Sequence, residues 1–238
     1  MSASDPPVEF DADGRTVRAI SARRMAEVDR VATDEVGLHL LSMMENAGRA
    51  LAQEARERSS NDPITVFVGG GGNGGGGLVA ARHLANAGRR VRVVLDRARD
   101  EFEGVPSRQL GVLGATDAAV TTEPGASDGL AVDALVGYGL TGALSGDVGE
   151  LAATTRAFDR VLSLDVPSGR DATTGVESGP VVDPDATLTL ALPKTGLAGL
   201  DGDLTLADIG IPSGVFGRAR VAYADPFDGA DRVPLTAA

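Results

Sequence analysis

Short apolar runs alternate with helix-like segments along most of the chain. The runs with the composition of buried strands are ITVFV, RRVRVVL, AAVTT, VDALVG, RVLSL, ATLTLAL, DLTLADIGI and, last, RARVAYA. Helical patterns over residues 78–87, 106–114 and 148–158 separate several of these runs. Strands that alternate with helices pack as a parallel sheet covered on both faces. The sequence therefore predicts an α/β fold.

The remaining segments suit a single domain. Residues 1–18 are acidic and are predicted to form a mobile tail. A first helix is predicted from Ser21 to Gly37, and a second over residues 41–59. No repeat and no long linker divides the chain, so residues 19–238 are predicted to form one domain.

Composition excludes several classes of function. The formal net charge is −12, and no basic face is concentrated in the sequence, which argues against nucleic acid as a partner. The chain has no cysteine, so thiolate metal sites, disulfides and cysteine nucleophiles are excluded. No signal peptide and no membrane span are evident, and we expect a soluble, cytoplasmic protein.

The stretch GGGGNGGGG, residues 69–77, follows the first predicted strand and precedes a predicted helix. Glycines in this position let a backbone approach a ligand and direct free N–H groups at a phosphate. Asp96, at the end of the next predicted strand, stands where dinucleotide-binding folds place a ribose-binding carboxylate. On this region alone, a dinucleotide dehydrogenase, another phosphate-binding protein and a flexible turn all remain open.

Oxygen-bearing side chains recur where predicted strands end. Asn73 lies in the glycine run, Asp133 interrupts an apolar strand, and Ser168 lies in the stretch VLSLDVPSG, residues 161–169. A carboxylate within a central strand needs a partner or a cation, and oxygen ligands of this kind suit an alkali or alkaline-earth ion. An edge strand that exposes Asp133 to solvent is the alternative.

Two further residues are candidates for acid/base chemistry. Asp165 would lie at the tip of a buried strand, where the proton affinity of a carboxylate can be tuned. Lys194 is the only lysine of the chain and follows another strand. An ordinary turn at Asp165 and a surface position for Lys194 are the alternatives. His39 and His83 are interpreted as structural.

Several motifs in a fixed order resemble the YjeF N-terminal domain family, the NAD(P)H-hydrate epimerases. They are MMENAGRALA, the glycine run entering GLVAARHLANAG, DALVGYGLTGALSGDVGEL, LDVPSG, LTLALPKTGL and DIGIP. The resemblance covers residues 20–212 and displaces the dehydrogenase reading. It implies a three-layer αβα sandwich around a Rossmann-like, mostly parallel sheet.

The resemblance also implies an activity in cofactor repair. Family members interconvert the R and S forms of hydrated NADH or NADPH, so that a separate NAD(P)HX dehydratase can restore the S form. The stereocentre carries a hydroxyl beside the ring nitrogen, and acid/base help would expel and return that hydroxyl. Whether the chain forms a homodimer is left open.

By the same resemblance, Asp165 contacts the nicotinamide end of the substrate, and Lys194 orients the ligand or Asp165. A potassium ion is expected at Asn73, Asp133 and Ser168. The residues expected to bind substrate, besides Asp165, are Gly72, Asn73, Gly74, Gly75, Gly76, Gly137, Tyr138, Gly139, Leu140, Thr141, Gly142 and Ala143.

The glycine run departs from the family pattern, which usually reads Gly-Pro-Gly-Asn-Asn-Gly-Gly-Asp-Gly. Here Gly70 replaces the proline, Gly72 the first asparagine and Gly76 the aspartate. Eight glycines lose much backbone entropy on ordering, so we expect a run that stays mobile until ligand and cation bind. A nucleotide-binding module of the same fold that has lost its chemistry is therefore the alternative to an active epimerase.

Overall fold

The computed structural model describes residues 8–237. Six α-helices lie within these residues: α1 (Ala22–Arg30), α2 (Leu40–Ser59), α3 (Gly72–Asn86), α4 (Gly104–Leu113), α5 (Gly146–Thr154) and α6 (Ser213–Arg218). Short turns of π- or 3₁₀-helix cover Val31–Glu35, Arg99–Glu101, Thr155–Ala157 and Thr195–Leu197. None of the described helices is both long enough and apolar enough to cross a membrane.

The same residues contain ten strands, which form one sheet. The strands are β1 (Glu9–Ala12), β2 (Arg15–Arg18), β3 (Ile64–Val68), β4 (Val91–Leu95), β5 (Ala119–Thr121), β6 (Leu130–Ala134), β7 (Arg160–Leu164), β8 (Ala186–Leu190), β9 (Asp203–Ala207) and β10 (Arg232–Ala237). Their spatial order is β2-β1-β10-β9-β8-β7-β6-β3-β4-β5. From β9 to β5 all neighbours are parallel, while β10, β1 and β2 pair antiparallel. The predicted α/β fold with a mostly parallel sheet is confirmed.

Helices cover both faces of the central strands, which gives three layers. Ile64, Val66 and Val68 of β3 pack with α2, α3 and α4 on one face. Phe67, whose side chain points to the opposite face, packs with Leu151 of α5. Strands buried on both faces lack an apolar–polar alternation, as expected for a parallel sheet. In sheets of this kind, ligands bind beyond the carboxyl ends of the central strands.

The predicted N-terminal tail is wrong for the part that the structure describes, and residues 1–7 lie outside the described residues. Residues 9–18 form the β1–β2 hairpin, and β1 also pairs with β10. Phe10, Ala12 and Val17 are buried, and Gly14 takes the positive φ of 82° that the tight turn requires. The acidic side chains between these apolar positions hid a short alternating strand pattern.

The last strand was also misplaced. The run RARVAYA was predicted as a strand, but helix α6 ends at Arg218 within it and no strand follows there. The final strand is β10, in which Val233 and Leu235 point to the core in alternation. β10 contains Pro234, which weakens a strand pattern in the sequence.

Candidate active site

A cavity of about 520 Å³ opens at the carboxyl ends of the central strands. This is where open α/β sheets bind their ligands. The predicted site residues that line it are Gly72, Asn73, Gly76, Gly137, Tyr138, Gly139, Asp165 and Lys194. The remaining predicted residues do not line it: Gly74, Gly75, Leu140, Thr141, Gly142, Ala143, Asp133 and Ser168. The structure therefore brings residues of the predicted loops together at one cavity, which residues 140–143 do not line.

Positions 72–77 of the glycine run form the start of helix α3, and only residues 69–71 precede the helix. Helix α3 begins at Gly72, six residues before the predicted start at residue 78, and Gly71 caps it without a side chain. Added side chains would collide with neighbours at several positions: a Cβ on Gly75 would lie 2.5 Å from the Met44 sulfur, and one on Gly77 2.5 Å from the Ala134 Cβ. The run therefore lets α3 pack closely on α2 and the sheet.

The first turns of α3 line the cavity through Gly72, Asn73 and Gly76. Every α-helix leaves its first N–H groups without an intrahelical partner, and these groups carry a partial positive charge. In α3 no side chain caps them. Arg97 lines the cavity beside them, with its guanidinium bonded to the buried Asp96 at 2.8 and 2.9 Å. The Gly70 N–H also donates to Asp96, so this carboxylate is engaged by protein groups. The arrangement suits a phosphate group of a ligand.

Asp165 and Lys194 form a buried ion pair at the base of the cavity. Lys194 Nζ donates to Asp165 Oδ1 and, at 2.8 Å, to the Leu190 carbonyl. The side chains are only 1% (Lys194) and 4% (Asp165) exposed. Asp165 has a positive φ of 69°, and its Oδ2 accepts the Tyr138 N–H at 2.9 Å. A non-glycine residue held in that conformation is strained, and such strain clusters at functional sites. The two alternatives, an ordinary turn at Asp165 and a surface position for Lys194, do not agree with this buried pair.

Asp133 and Ser168 are hydrogen-bonded to each other, and neither lines the cavity. Four hydrogen bonds reach the Asp133 carboxylate: from Ser163 Oγ at 2.9 Å, Leu135 N at 3.2 Å, Ser168 N at 2.9 Å and Ser168 Oγ at 2.6 Å. Complete burial raises the pKa of Asp133. No Lys, Arg or His among the described residues forms an ion pair with it. The edge-strand alternative is excluded, because β6 lies between β3 and β7.

The side chains at this place offer oxygen atoms of the kind that alkali cations prefer. Within residues 8–237 no cluster of three or more His, Cys, Asp or Glu could hold a metal ion. Asn73 reaches towards the same region: its Nδ2 donates to the Leu164 carbonyl at 3.3 Å, and its Oδ1 faces Gly137. Amide, hydroxyl and carboxylate oxygens are hard ligands. A nearby cation would also favour the ionised form of Asp133.

Sequence reasoning missed Asp29, which lines the cavity together with apolar side chains. Asp29 accepts a hydrogen bond from the Tyr138 hydroxyl. It lies four residues after the buried Met25 on α1, so both side chains share one helix face. A carboxylate on an otherwise apolar helix face was the signal available in the sequence.

The two histidines were interpreted as structural. His83 of α3 is hydrogen-bonded to Glu45 of α2, and His39 directly precedes α2.

Comparisons with known proteins agree on one family. The family model described as "YjeF-related protein N-terminus" matches residues 40–196. A protein of Dehalogenimonas lykanthroporepellens named NAD(P)H-hydrate epimerase is 44% identical, over 95% of this chain and 96% of its own. A protein of the same name from Truepera radiovictrix is 37% identical, over 83% and 92% of the two chains. The crystal structure of the yeast protein YNL200c superposes with a TM-score of 0.75 at 22% identity, over 92% and 99% of the chains, and shows the same fold.

Proposed function

This chain belongs to the YjeF-related N-terminal family, and we infer that it is an NAD(P)H-hydrate epimerase. The observation that carries this inference is the composition of one cavity. It joins the uncapped N-terminus of α3 to a buried acid/base pair, Asp165 and Lys194. The first feature suits the phosphates of a pyridine dinucleotide, and the second suits chemistry at its nicotinamide end.

The substrate binds across the carboxyl ends of β3, β6 and β7. Its phosphates accept hydrogen bonds from the N–H groups at the start of α3 and from the outer edge of the Arg97 guanidinium. Three of the five N–H donors of Arg97 remain for a ligand, because two are bonded to Asp96. The hydrated nicotinamide ring lies against Asp165 and the turn at Gly137 and Tyr138. The substrate is hydrated NADH, hydrated NADPH or both.

Asp165 exchanges a proton with the substrate in this proposal. The reacting carbon carries a hydroxyl next to the ring nitrogen, and loss and return of that hydroxyl on the other face inverts the centre. Lys194 positions Asp165 through their ion pair. Asp165 can accept a proton from an attacking water and, in the reverse direction, donate one to the leaving hydroxyl.

The direct test is epimerisation of substrate enriched in the R form. Purified protein is mixed with R-enriched NADHX or NADPHX, and a separate NAD(P)HX dehydratase consumes the S form as it appears. A reaction without the epimerase measures spontaneous inversion. We expect the protein to accelerate NADH or NADPH formation above that control, and equal rates would contradict the proposed function. A separate dehydratase in the cytoplasm is the functional partner that this proposal requires.

A potassium ion completes the proposed site, held by Asn73, Asp133 and Ser168. Its role is to balance the negative charge of the buried Asp133 carboxylate and to hold the loop that carries Ser168 and Asp165 in place. Crystals soaked in rubidium chloride are expected to show anomalous density in contact with all three side chains. Density elsewhere only, or none, would contradict this cation site.

Solution stability gives a second measure of the same cation. A cation at ten times its Kd stabilises the folded state by about 1.4 kcal/mol. The melting temperature is therefore expected to be higher in KCl than in LiCl at equal ionic strength. Asn73→Ala should abolish that difference, whereas Asn61→Ala, in the turn after α2, should retain it.

Gly76 supports a second candidate, a nucleotide-binding module without epimerase activity. The family aspartate is missing there, yet Gly76 lines the cavity in ordinary helical backbone. A Cβ on Gly76 would meet only Leu164, at 3.0 Å, and one on Gly72 would meet nothing within 4 Å. The double variant Gly72→Asn, Gly76→Asp can therefore fold without large rearrangement.

If the carboxylate takes part in chemistry, this double variant is expected to raise kcat substantially. If it only binds ribose or orders the helix start, KM should fall and kcat should stay the same. Calorimetric titration with NADPH, NADP and ADP-ribose in potassium buffer separates binding from turnover. A wild-type protein that binds these ligands without epimerising would be the inactive module.

A further inference from the structure

Tyr138 connects two carboxylates in the cavity. Its backbone N–H donates to Asp165 Oδ2 at 2.9 Å, and its hydroxyl donates to Asp29 Oδ2. The two carboxylates are thus separated by the length of the tyrosine, and both line the cavity. They come from different parts of the fold, Asp29 from α1 and Asp165 from the end of β7. The ring of Tyr138 lies 5.8 Å from the Lys194 ammonium, which helps to fix it.

Inversion by loss and return of a hydroxyl needs proton transfer on two faces of one ring. The hydroxyl must be protonated as it leaves from the first face. A water must be deprotonated as it adds to the second face. One fixed carboxylate cannot reach both faces unless the ring turns over, whereas two carboxylates on separate elements can serve one face each.

We propose that Asp29 is the second catalytic carboxylate of this site and serves the ring face opposite to Asp165, with Tyr138 positioning it. This inference rests on the proposed epimerase function. Neutral Asp29 gives its proton to the hydroxyl oxygen as the carbon–oxygen bond breaks. The lone pair of the ring nitrogen forms a carbon–nitrogen double bond, and water leaves.

The second half of the reaction restores the ring. A water adds to the same carbon from the other face and gives a proton to Asp165, while the electron pair returns to nitrogen. No oxidant or reductant is consumed. Proton exchange with solvent resets the two carboxylates, and the opposite epimer reacts with their roles exchanged.

The surroundings of the two carboxylates suit these different roles. Burial raises the pKa of Asp29, which favours its proton-carrying form, while the Tyr138 hydroxyl opposes this effect. The other charged groups that act on Asp29 are Lys194, which lowers its pKa, and Asp165, which raises it. Burial and the neighbouring Asp29 carboxylate raise the pKa of the Tyr138 hydroxyl, so it remains a donor. Two carboxyl groups in different environments are the usual arrangement of an acid and a base.

Asp29→Asn tests the role directly. The epimerisation rate kcat is expected to fall about 10²–10⁴-fold, the typical contribution of a positioned acid or base. The matched control is Glu27→Gln on the same helix, which removes an exposed carboxylate that pairs with Arg30 and does not line the cavity. Calorimetric titration with NADPH and the melting temperature show whether each variant still folds and binds. A folded, NADPH-binding Asp29→Asn variant with the wild-type rate would overturn the inference.

The variant Tyr138→Phe tests whether Asp29 takes part in proton transfer, because the pH dependence of kcat would not change if Asp29 had only a structural role. Because the Tyr138 hydrogen bond lowers the pKa of Asp29, its loss raises that pKa further. With the epimer on which Asp29 acts as the acid, activity is lost as pH rises through this pKa, so the alkaline limb of kcat for that epimer should shift to higher pH in the variant. An unshifted limb, or a shift to lower pH, would contradict the assignment. An inactive wild-type protein would instead mean that the proposed function itself fails.

Discussion

Asp165→Asn is expected to lower the epimerisation rate by about 10²–10⁴-fold, since the amide cannot exchange the proton. The change nearly preserves shape, and the new side-chain oxygen can still accept the Tyr138 N–H. It also leaves Lys194, which is 1% exposed, as a buried cation without its counter-charge. Removing one partner of a buried ion pair costs about 3–5 kcal/mol, so the single variant is expected to be less stable as well.

A double variant separates the loss of chemistry from the loss of stability. Asp165→Asn combined with Lys194→Met removes both charges and keeps an unbranched side chain of similar length. Urea unfolding is expected to show that the double variant recovers much of the stability, while epimerisation remains at the level of the single variant. Wild-type turnover by either variant would contradict the assignment of Asp165.

The central strands were predictable because burial on both faces leaves a local signal. ITVFV has four apolar residues and one threonine, and β3 occupies these five positions. RVLSL has three apolar residues and coincides with β7. The ends of these strands then placed Asp165 and the turn after β6 at one edge of the sheet, because parallel strands share the direction of their carboxyl ends. The position of the cavity at that edge follows from the shared strand direction.

What could not be predicted depends on contacts between distant segments. The glycine run has low intrinsic helix propensity, and the packing of α3 against α2 and the sheet overrides it. The β1–β2 hairpin is part of the sheet because it pairs with β10, more than 200 positions away in sequence. The Asp29–Tyr138 contact likewise joins residues 109 positions apart. Patterns within a short window carry no information on such pairs.

Alanine substitutions in the glycine run are expected to have very different effects on stability, because the space around each glycine differs. Gly74→Ala is expected to destabilise the fold by about 3 kcal/mol through overpacking. A Cβ there would lie 2.7 Å from the Gly69 carbonyl carbon and closer still to its oxygen. This contact is with backbone, and Gly69 cannot easily move, since its N–H donates to the Ala134 carbonyl at 3.2 Å.

Gly72→Ala is the matched control, because the same substitution two residues earlier meets nothing within 4 Å. Gly72 has no positive φ, so alanine should be neutral there or stabilise helix α3 by up to about 1 kcal/mol. Urea unfolding at equal m-values measures both changes. The displaced helix start in Gly74→Ala should also weaken NADPH binding, whereas Gly72→Ala should retain it. Equal stability and equal affinity of the two variants would mean that glycine at position 74 is not required for the close packing of α3.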